Sequence, residues 1–224
     1  RRLGDERDEE DEEARRTLYY VALKTGDYEQ AVEHAEVWQD RGLGSILRPV
    51  ALAWAQVGDG DSAGAQEALA PAMEDNNSGD FATALSAIAL WIAGEREAAL
   101  QRYLDYIDEA HTSVSLRDAE LALLAFGEAG SDEQQQALID ALNPDLLELS
   151  TLKRLVEAQA AGETLTFPIT TPQQAAAEVL ERLASHFSQD ELGSEVALGL
   201  AGAALFLQPE NAKARLVRGE IYAD

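Results

Sequence analysis

Histidine is the first residue type to test for chemistry, because it most often serves as a base or a metal ligand near neutral pH. The chain has three, His34, His111 and His186, and none has a second histidine three or four residues away. A helix that holds a metal through two histidines needs that spacing. Glu33 and Glu36 flank His34, and we interpret them as part of a solvated acidic face. The histidines therefore predict no metal site and no catalytic base.

Other reactive groups give no better candidate. The 224 residues include no cysteine, which excludes thiolate metal sites, cysteine nucleophiles and disulfides. The chain has no G-x-S-x-G elbow, P-loop or G-x-G-x-x-G motif, and Gly42-Leu43-Gly44 does not follow a strand. Carboxylates are so frequent that no single pair is informative. We therefore expect no catalytic residues, no cofactor and no enzymatic activity.

The charge of the chain limits its partners. There are 42 acidic and 17 basic residues, which gives a net charge of −25. Phosphate backbones would be repelled, so we expect no nucleic-acid binding. No stretch reaches the roughly 18–20 apolar residues of a membrane helix, so we expect no direct membrane insertion. The excess of acid indicates either a basic partner or simply solubility in a salty environment, and we favour the second interpretation.

An acidic run, DERDEEDEE, occupies residues 5–13. It is either a frayed tail or the acidic first turn of a helix, where the helix dipole favours carboxylates. It lacks the alternating ligands and the turn glycine of a calcium loop. We therefore predict no cation site there.

Glycine recurs along the chain at a nearly fixed interval. Gly26, Gly58, Gly94 and Gly130 follow one another at intervals of 32, 36 and 36, and each comes after a run of apolar and small residues. A period in this range indicates stacked helical hairpins, each of which buries its apolar face against its neighbours. Such a stack is typically a surface that holds partners.

The apolar spacing places helices on both sides of these glycines. Ala31 and Ala35, four residues apart on one face, should let the paired helix approach closely. Pro71 is expected to end the fourth helix. The predicted helices cover 13–25, 28–40, 45–57, 62–70, 81–93, 95–110, 116–129, 133–142, 146–160, 173–188, 191–207 and 211–222.

One segment departs from the helical pattern. Residues 163–171, ETLTFPITT, are rich in β-branched residues and contain Pro168, which favours an extended crossing segment. Thr171 and Pro172 then form a good helix start, with the threonine as N-cap and the proline in the first turn.

Several blocks resemble the tetratricopeptide repeat, a helix–turn–helix of about 34 residues. The clearest matches are KTGDYEQAVEHA at 24–35 and LQPENAKARLVRGEIY at 207–222. In the second block, residues fall where the repeat's proline, small residues, glycine and tyrosine belong; these are Pro209, Ala212, Ala214, Gly219 and Tyr222. Ser185 lies one repeat length before Gly219, so the preceding hairpin keeps the same period.

The resemblance implies an all-α fold, a right-handed α-solenoid of stacked helix-turn-helix hairpins. It divides the chain into an acidic extension (1–12), three hairpins (13–115), a divergent helical region (116–165) and a final hairpin followed by the first helix of a further repeat (166–224). Several segments are also similar to bacterial, mainly alphaproteobacterial, repeat proteins of undefined function that are often predicted to be exported. This likeness slightly favours the periplasm over the cytoplasm.

In tetratricopeptide arrays the first helix of each pair forms most of the concave wall. Alignment on Gly26, Gly58 and Gly94 predicts that wall here, and it would suit an extended or helical segment with apolar anchors and an acidic end. A carboxylate clamp for chaperone tails is not expected, because its basic and asparagine residues are mostly missing. The predicted partner-binding residues are Arg16, Tyr20, Lys24, Arg48, Leu52, Gln56, Ile88, Trp91 and Ile92.

The tryptophans divide between two roles. Trp38 and Trp54 lie on the small-residue faces of their helices, and we expect them in the core. Tyr20 and Trp91 could line the groove or pack against an adjacent helix. The sequence leaves these two alternatives open.

Together these features predict a non-enzymatic scaffold or adaptor that binds another protein or peptide segment. One alternative is self-association into a homo-oligomer, because an array that stops at Tyr222 exposes an apolar end. Another is an accessory domain or envelope-assembly lipoprotein whose active part lies outside this segment. The chain starts without methionine and stops within a repeat-like pattern, so we expect it to be a piece of a longer protein.

Overall fold

The structure is a computed structural model that describes residues 2–39, 41–75, 79–110, 113–189 and 193–223, with side chains from Glu12 onward. Within these ranges the chain is all-α and contains no strand, which confirms the predicted all-α class. The helices are α1 (Arg2–Thr25), α2 (Tyr28–Glu36), α3 (Leu43–Gly58), α4 (Ser62–Met73), α5 (Gly79–Ile92), α6 (Arg96–Ala110), α7 (Leu116–Ala129), α8 (Asp132–Ala141), α9 (Pro144–Leu147), α10 (Ser150–Ala160), α11 (Pro172–Phe187), α12 (Ser194–Leu207) and α13 (Ala212–Ala223).

The chain forms two compact units. Unit 1 combines Arg1–Ala68 with Thr171–Asp224, and unit 2 is the continuous segment Leu69–Thr170. In unit 1, α1 packs on α2, α2 on α3, α11 on α12 and α12 on α13, while α3 packs on α11 and α1 on α12. In unit 2, α5 packs on α6, and α7 packs on α6, α8 and α10. Unit 1 is therefore built from helices at both ends of the chain.

The first three hairpins recur with a constant period, about 34 residues, which is the length typical of a tetratricopeptide unit. Gly26, Gly60 and Gly94 have φ angles of 78°, 88° and 85°, a backbone conformation that costs glycine little and other residues more. The helices that follow begin at Tyr28, Ser62 and Arg96, at the same interval. The turn glycine of the second hairpin is thus Gly60, whereas the sequence alignment used Gly58.

Gly58 has a different role, which is to allow close packing between two helices. A Cβ atom added there would lie 2.4 Å from the ring of Tyr28. A side chain at position 58 would therefore displace the Tyr28 ring from its place against α3. The glycine is required by this contact and not by the turn.

The same period also governs burial. Ala31, Ala65 and Ala99 follow their turn glycines by five residues, and each is completely buried. Four residues later on the same face, Ala35, Leu69 and Tyr103 are also completely buried. Ala31 and Ala35, where the sequence predicts close approach of the paired helix, are thus buried, and the register through Gly60 extends the pattern to the second and third hairpins.

Several helix bounds differ from the sequence expectation. Helix α1 begins at Arg2, so the acidic run at 5–13 is helical. Helix α4 continues through Pro71 to Met73, and the predicted stop at this proline is wrong. The predicted helix over 146–160 is two helices, α9 and α10. Asp40, at the expected end of the second helix, and Glu191, at an expected start, lie outside the described residues.

The segment between α10 and α11 is extended, as predicted. Leu165, Phe167 and Ile169 are buried while the residues between them are exposed, the alternation of an extended chain over a core. The Phe167 amide donates to Oε2 of Glu128 over 2.5 Å, and the ring of Phe167 lies 4.7 Å from that of Trp91. Inward side chains and this hydrogen bond hold the segment on unit 2.

The start of α11 also follows the prediction. The Thr171 hydroxyl accepts a hydrogen bond from the Gln174 amide, and the Gln174 side chain accepts one from the Thr171 amide. Pro172 occupies the first turn, where a missing N–H costs little.

Among the described helices, none has the length and apolar character needed to cross a membrane.

Candidate binding groove

Helix α12 is apolar on two faces, and only one of them is covered. Its sequence, SEVALGLAGAALFL, contains a single charged residue, Glu195. Ala197, Ala201 and Ala204 are completely buried on the side that packs on α11 and α13. A helix that is apolar all round is normally buried on all sides. The second face of α12 instead lines an open groove.

This groove lies within unit 1 and has a volume of about 840 Å³. Its walls come mainly from α1 and α12, with the start of α3 and the end of α11 completing it. The lining residues are Glu13, Arg16, Thr17, Tyr20 and Val21 of α1, Leu43 and Leu47 of α3, Phe187 of α11, and Val196, Gly199, Leu200, Gly202, Ala203 and Phe206 of α12.

Large apolar side chains in this groove remain in contact with solvent. Val21, Val196 and Phe206 are 42%, 41% and 42% exposed. Gly199 and Gly202 leave open space between them, since an added Cβ atom would meet nothing within 4 Å. Apolar surface of this kind, gathered in one concave place, is typical of an interaction site.

Two polar side chains of the groove, Arg16 and Thr17, bond to groups of α1 itself, while Arg16 Nε is buried without a partner. Arg16 Nη2 donates to Glu12 Oε1 over 3.0 Å. The Thr17 hydroxyl donates to the Glu13 carbonyl over 3.0 Å. Small-molecule pockets usually carry a few converging polar groups that orient the ligand. This groove offers mainly apolar contact, with one acidic and one basic side chain, Glu13 and Arg16, in its lining.

Tyr20, which lines the groove, belongs to an aromatic cluster beside α3. Tyr19 lies edge-to-face against Tyr20 and Trp38, with ring centroids 5.3 and 5.0 Å apart. The Tyr19 hydroxyl donates to the Ala51 carbonyl over 2.9 Å, and burial raises its pKa well above the usual value. Burial also raises the pKa of Tyr20, and the charge of Arg16 offsets part of that rise. Both phenols therefore stay neutral near neutral pH.

Below the groove lies a second and much smaller cavity, of about 20 Å³. Tyr20 and Leu47 line both spaces, so they form the partition between them. The small cavity is bounded by Trp38 and Trp54 and has the size of a single water molecule. The groove, by contrast, is large enough for side chains of another molecule.

The structure brings the three residues predicted from the first hairpin to this groove. Arg16 and Tyr20 line it. Lys24 lies over the Phe206 ring, with Nζ 4.3 Å from its centroid, and also donates to the Phe206 carbonyl. Both cations are thus engaged by the protein itself. Arg16 and Lys24 were expected to bind the acidic end of a ligand, and both already contact other groups of the protein.

The three residues predicted from the second hairpin are half-buried on α3 and do not line the groove; they are Arg48, Leu52 and Gln56. The alignment on Gly58 instead of Gly60 chose positions out of register, although Trp54, the in-register equivalent of Tyr20, does not line the groove either. A shift of two residues turns the chosen positions by about 200° around a helix, to nearly the opposite face. Trp54 is the residue one period after Tyr20, and it is completely buried.

In unit 2, the expectation of an exposed wall is corrected. Ile88 is 1% exposed and Trp91 is completely buried, packed against Phe167 with the Arg96 guanidinium 4.0 Å from its ring. Ile92 is half-buried. Trp91 lies two periods after Leu23, which is also completely buried, so the period itself assigns this position to the core. The predicted core positions of Trp38 and Trp54 are confirmed.

The residues that sequence reasoning missed are those of α12. Val196, Gly199, Gly202 and Phe206 recur every three or four residues, opposite the alanines that pack on α11. The signal for this second face was the near absence of charge in the helix. Its partner wall, α1, lies at the other end of the chain, and local periodicity carries no sign of that pairing.

The histidines do not belong to this groove. His34 is half-buried on α2 and His186 is exposed on α11, while His111 lies outside the described residues. In the part of the chain that the structure describes, no three acidic or histidine side chains come together in a metal-binding arrangement.

Comparisons of this chain with protein-family models, with curated proteins and with solved structures found no match.

Proposed function

We propose that this chain is a non-enzymatic protein-binding module, and that the groove between α1 and α12 holds an apolar segment of another polypeptide. The observation that carries the proposal is the open apolar face of α12, with Val196 and Phe206 more than two-fifths exposed in a concave space of about 840 Å³. Covering such side chains would release about 25 cal/mol per Å² of apolar surface.

The hairpin architecture supports a module of the tetratricopeptide type. The turn glycines Gly26, Gly60 and Gly94 and the buried alanines after them recur at the length of that repeat. Within unit 1 there is one departure from the simplest form of that fold. Hairpins of a linear array contact only their neighbours, whereas α1 also packs on α12.

The chemistry of the groove favours a polypeptide over a small metabolite. Arg16 and Thr17 bond to groups of α1, and most of the residues that line the groove are apolar. A polypeptide segment can insert several apolar side chains along such a lining. A scaffold role then follows, since binding of this kind needs no chemical step.

A matched pair of glycine substitutions tests the proposal. Gly202→Leu would fill the groove without a clash at Cβ, and Gly219→Leu makes the same change on α13, where space is also open. Peptides of about sixteen residues, selected by display against the wild-type chain, should bind Gly202→Leu at least tenfold more weakly. Binding to Gly219→Leu should be unchanged, and circular dichroism should show both variants fully helical. Equal binding to both variants would place the site elsewhere.

Self-association is the second candidate, favoured by Leu216 and Tyr222 on α13, which are 60% and 70% exposed. Sedimentation velocity over a hundredfold concentration range tests it directly. A wild-type dimer that dissociates in the Leu216→Lys variant would support this alternative. A wild-type monomer at all concentrations would contradict it. The net charge of −25 on each copy opposes such a dimer, most strongly at low salt.

A further inference from the structure

We infer that unit 2 contains a separate peptide-binding site, and that the chain's own residues 164–170, which we call the strap, occupy it. The ligand class is an extended segment in which an aromatic residue has an aliphatic residue two positions away on each side. This site is distinct from the groove between α1 and α12 and does not depend on the proposed function. The contacts of the strap with α5 and α7 carry the inference.

The strap lies on unit 2 in the manner of an extended bound peptide. Leu165, Phe167 and Ile169 are buried, while the residues between them are exposed. In an extended chain every second side chain faces the same surface, and proteins that bind extended peptides recognise these alternate side chains in pockets. The three buried side chains are therefore anchors at positions i, i+2 and i+4.

Helices α5 and α7 contact two of the anchors and the backbone of the strap. The Phe167 ring lies 4.7 Å from the ring of Trp91 on α5. On α7, a Cβ atom added to Gly127 would lie 2.5 Å from Cδ1 of Leu165, so the glycine makes room for this anchor. The next residue, Glu128, accepts a hydrogen bond from the Phe167 amide through Oε2. The site thus combines an aromatic contact, a recess and an acceptor for a main-chain N–H.

The helices on either side of the strap have ends that do not depend on it. After α10, the Glu163 amide donates to the Ala158 carbonyl over 2.9 Å, which closes the C-terminus of that helix. Thr171 and Gln174 close the first turn of α11 by their reciprocal hydrogen bonds. Release of the strap would therefore leave both helices capped.

Little backbone hydrogen bonding holds the strap in place. Of the hydrogen bonds that the structure describes, only that from the Phe167 amide to Glu128 involves the backbone of residues 164–169. A helix, by comparison, makes about one backbone bond per residue. The strap is held by its three anchors and this bond, and a peptide with the same pattern can supply all four contacts.

Because the strap is tethered at both ends, it competes strongly with any free peptide. Short flexible connections give effective concentrations in the millimolar range. The apparent affinity of a site for a free ligand falls with the fraction of sites that are unoccupied. The wild-type chain should therefore bind such a peptide weakly, and removal of the anchors should uncover the site.

Peptide binding to a matched pair of strap variants tests the site. The probe is ETLTFPITT, the sequence of residues 163–171, with a fluorescent label. The anchor variant combines Leu165→Gln with Phe167→Gln. Its control combines Thr164→Gln with Thr166→Gln, two changes on the exposed side of the strap. In fluorescence anisotropy, the anchor variant should bind the probe at least about tenfold tighter than the wild type or the control.

Hydrogen exchange of the wild-type chain tests the site without a substitution. A strap that opens locally should let the Phe167 amide exchange at least about tenfold faster than the best-protected amides of α5 and α7, which exchange only on wider unfolding. Equal protection of all these amides would show that the strap opens only together with its helices, and would overturn the inference.

Three results with the anchor variant would also overturn it. Loss of the helical circular dichroism signal would make the anchors an inseparable part of the core. Absence of probe binding by the folded variant would show that the uncovered surface is not a peptide site, and equal binding by the wild type, the variant and the control would place the probe elsewhere. Gly202→Leu added to the anchor variant should leave probe binding unchanged, so a failure of this site and a failure of the groove are distinguishable.

Discussion

Lys24 and Phe206 contact each other although 182 residues separate them in the chain. The Lys24 ammonium lies 4.3 Å from the centre of the Phe206 ring and donates to the carbonyl of the same residue. The contact joins α1 to α12 at one end of the groove. It fixes the ring that forms part of the groove wall.

We expect this pair to contribute measurable coupling between the two helices. A double-mutant cycle of Lys24→Met and Phe206→Leu should give an interaction free energy of about 0.5–1 kcal/mol, the usual value for a cation over an aromatic ring at an exposed site. Urea unfolding of the wild type, both single variants and the double variant measures it. Additive effects would show that the two residues are merely neighbours.

Trp91→Ala should destabilise the protein as a core substitution. The side chain is completely buried against Phe167, and truncation of a buried tryptophan costs about 3–5 kcal/mol. The neighbouring Ile92 is half-buried, so Ile92→Ala should cost clearly less. Both values follow from urea unfolding monitored by circular dichroism. A Trp91→Ala variant with wild-type stability would place the residue on a surface after all.

Two glycine-to-alanine substitutions should have opposite signs. Gly26 has a φ of 78°, where a Cβ atom costs about 1–2 kcal/mol, so Gly26→Ala should lower the free energy of unfolding. Gly202 lies within α12 with open space at Cβ, so Gly202→Ala should raise it by about 0.5–1 kcal/mol. Thermal unfolding of the two variants side by side checks the pair. The same sign for both would contradict the assigned backbone roles.

The stability of the fold should depend on Tyr20 above pH 10. Burial raises the pKa of Tyr20 above the unfolded value of about 10. The neutral phenol is therefore favoured by folding, and its contribution is complete below pH 10 and is lost as the pH rises towards the folded pKa. Tyr20→Phe should make the fall in unfolding free energy above pH 10 less steep.

Urea unfolding at several values between pH 7 and pH 11 measures this slope. At pH 7 both proteins carry no charge at position 20, so the comparison there shows any effect of lost packing alone. Parallel curves across the whole range would mean that Tyr20 does not contribute to the alkaline transition.

Local signals predicted the local structure well. Helix α7 has the predicted bounds, Leu116–Ala129, and Thr171 caps α11 with Pro172 in its first turn. These features depend on side chains within a few residues of each other, which a single sequence displays directly. The extended segment at 163–171 was equally visible from its β-branched residues and Pro168.

The register of the hairpins was harder to read. Gly58 and Gly60 are both required, one for the Tyr28 contact and one for the turn, and the sequence alone does not label them. The pairs Gly26-Asp27 and Gly60-Asp61 show the correct register, because each aspartate accepts a hydrogen bond from the third residue after it. The choice of Gly58 placed Arg48, Leu52 and Gln56 two residues out of register with Arg16, Tyr20 and Lys24.

The groove could not be predicted from one sequence at all. Its two main walls, α1 and α12, are joined by contacts such as that between Lys24 and Phe206, far apart along the chain. Helical periodicity shows that a face is apolar and leaves open which distant helix will meet it. The pairing is a property of the folded unit.

The division of unit 1 between the two ends of the chain has a consequence for synthesis on the ribosome. Helices α1 to α3 emerge first, and their partners α11 and α12 follow only after the hundred or so residues of Leu69–Thr170. At a synthesis rate of about 5–20 residues per second, the aromatic side chains of α1 and α3 stay exposed for on the order of 5–20 s before α11 and α12 are made. Unit 2 is continuous and can fold during that interval, so a nascent chain exposes the apolar surface of α1 and α3 until α11 and α12 have been synthesised.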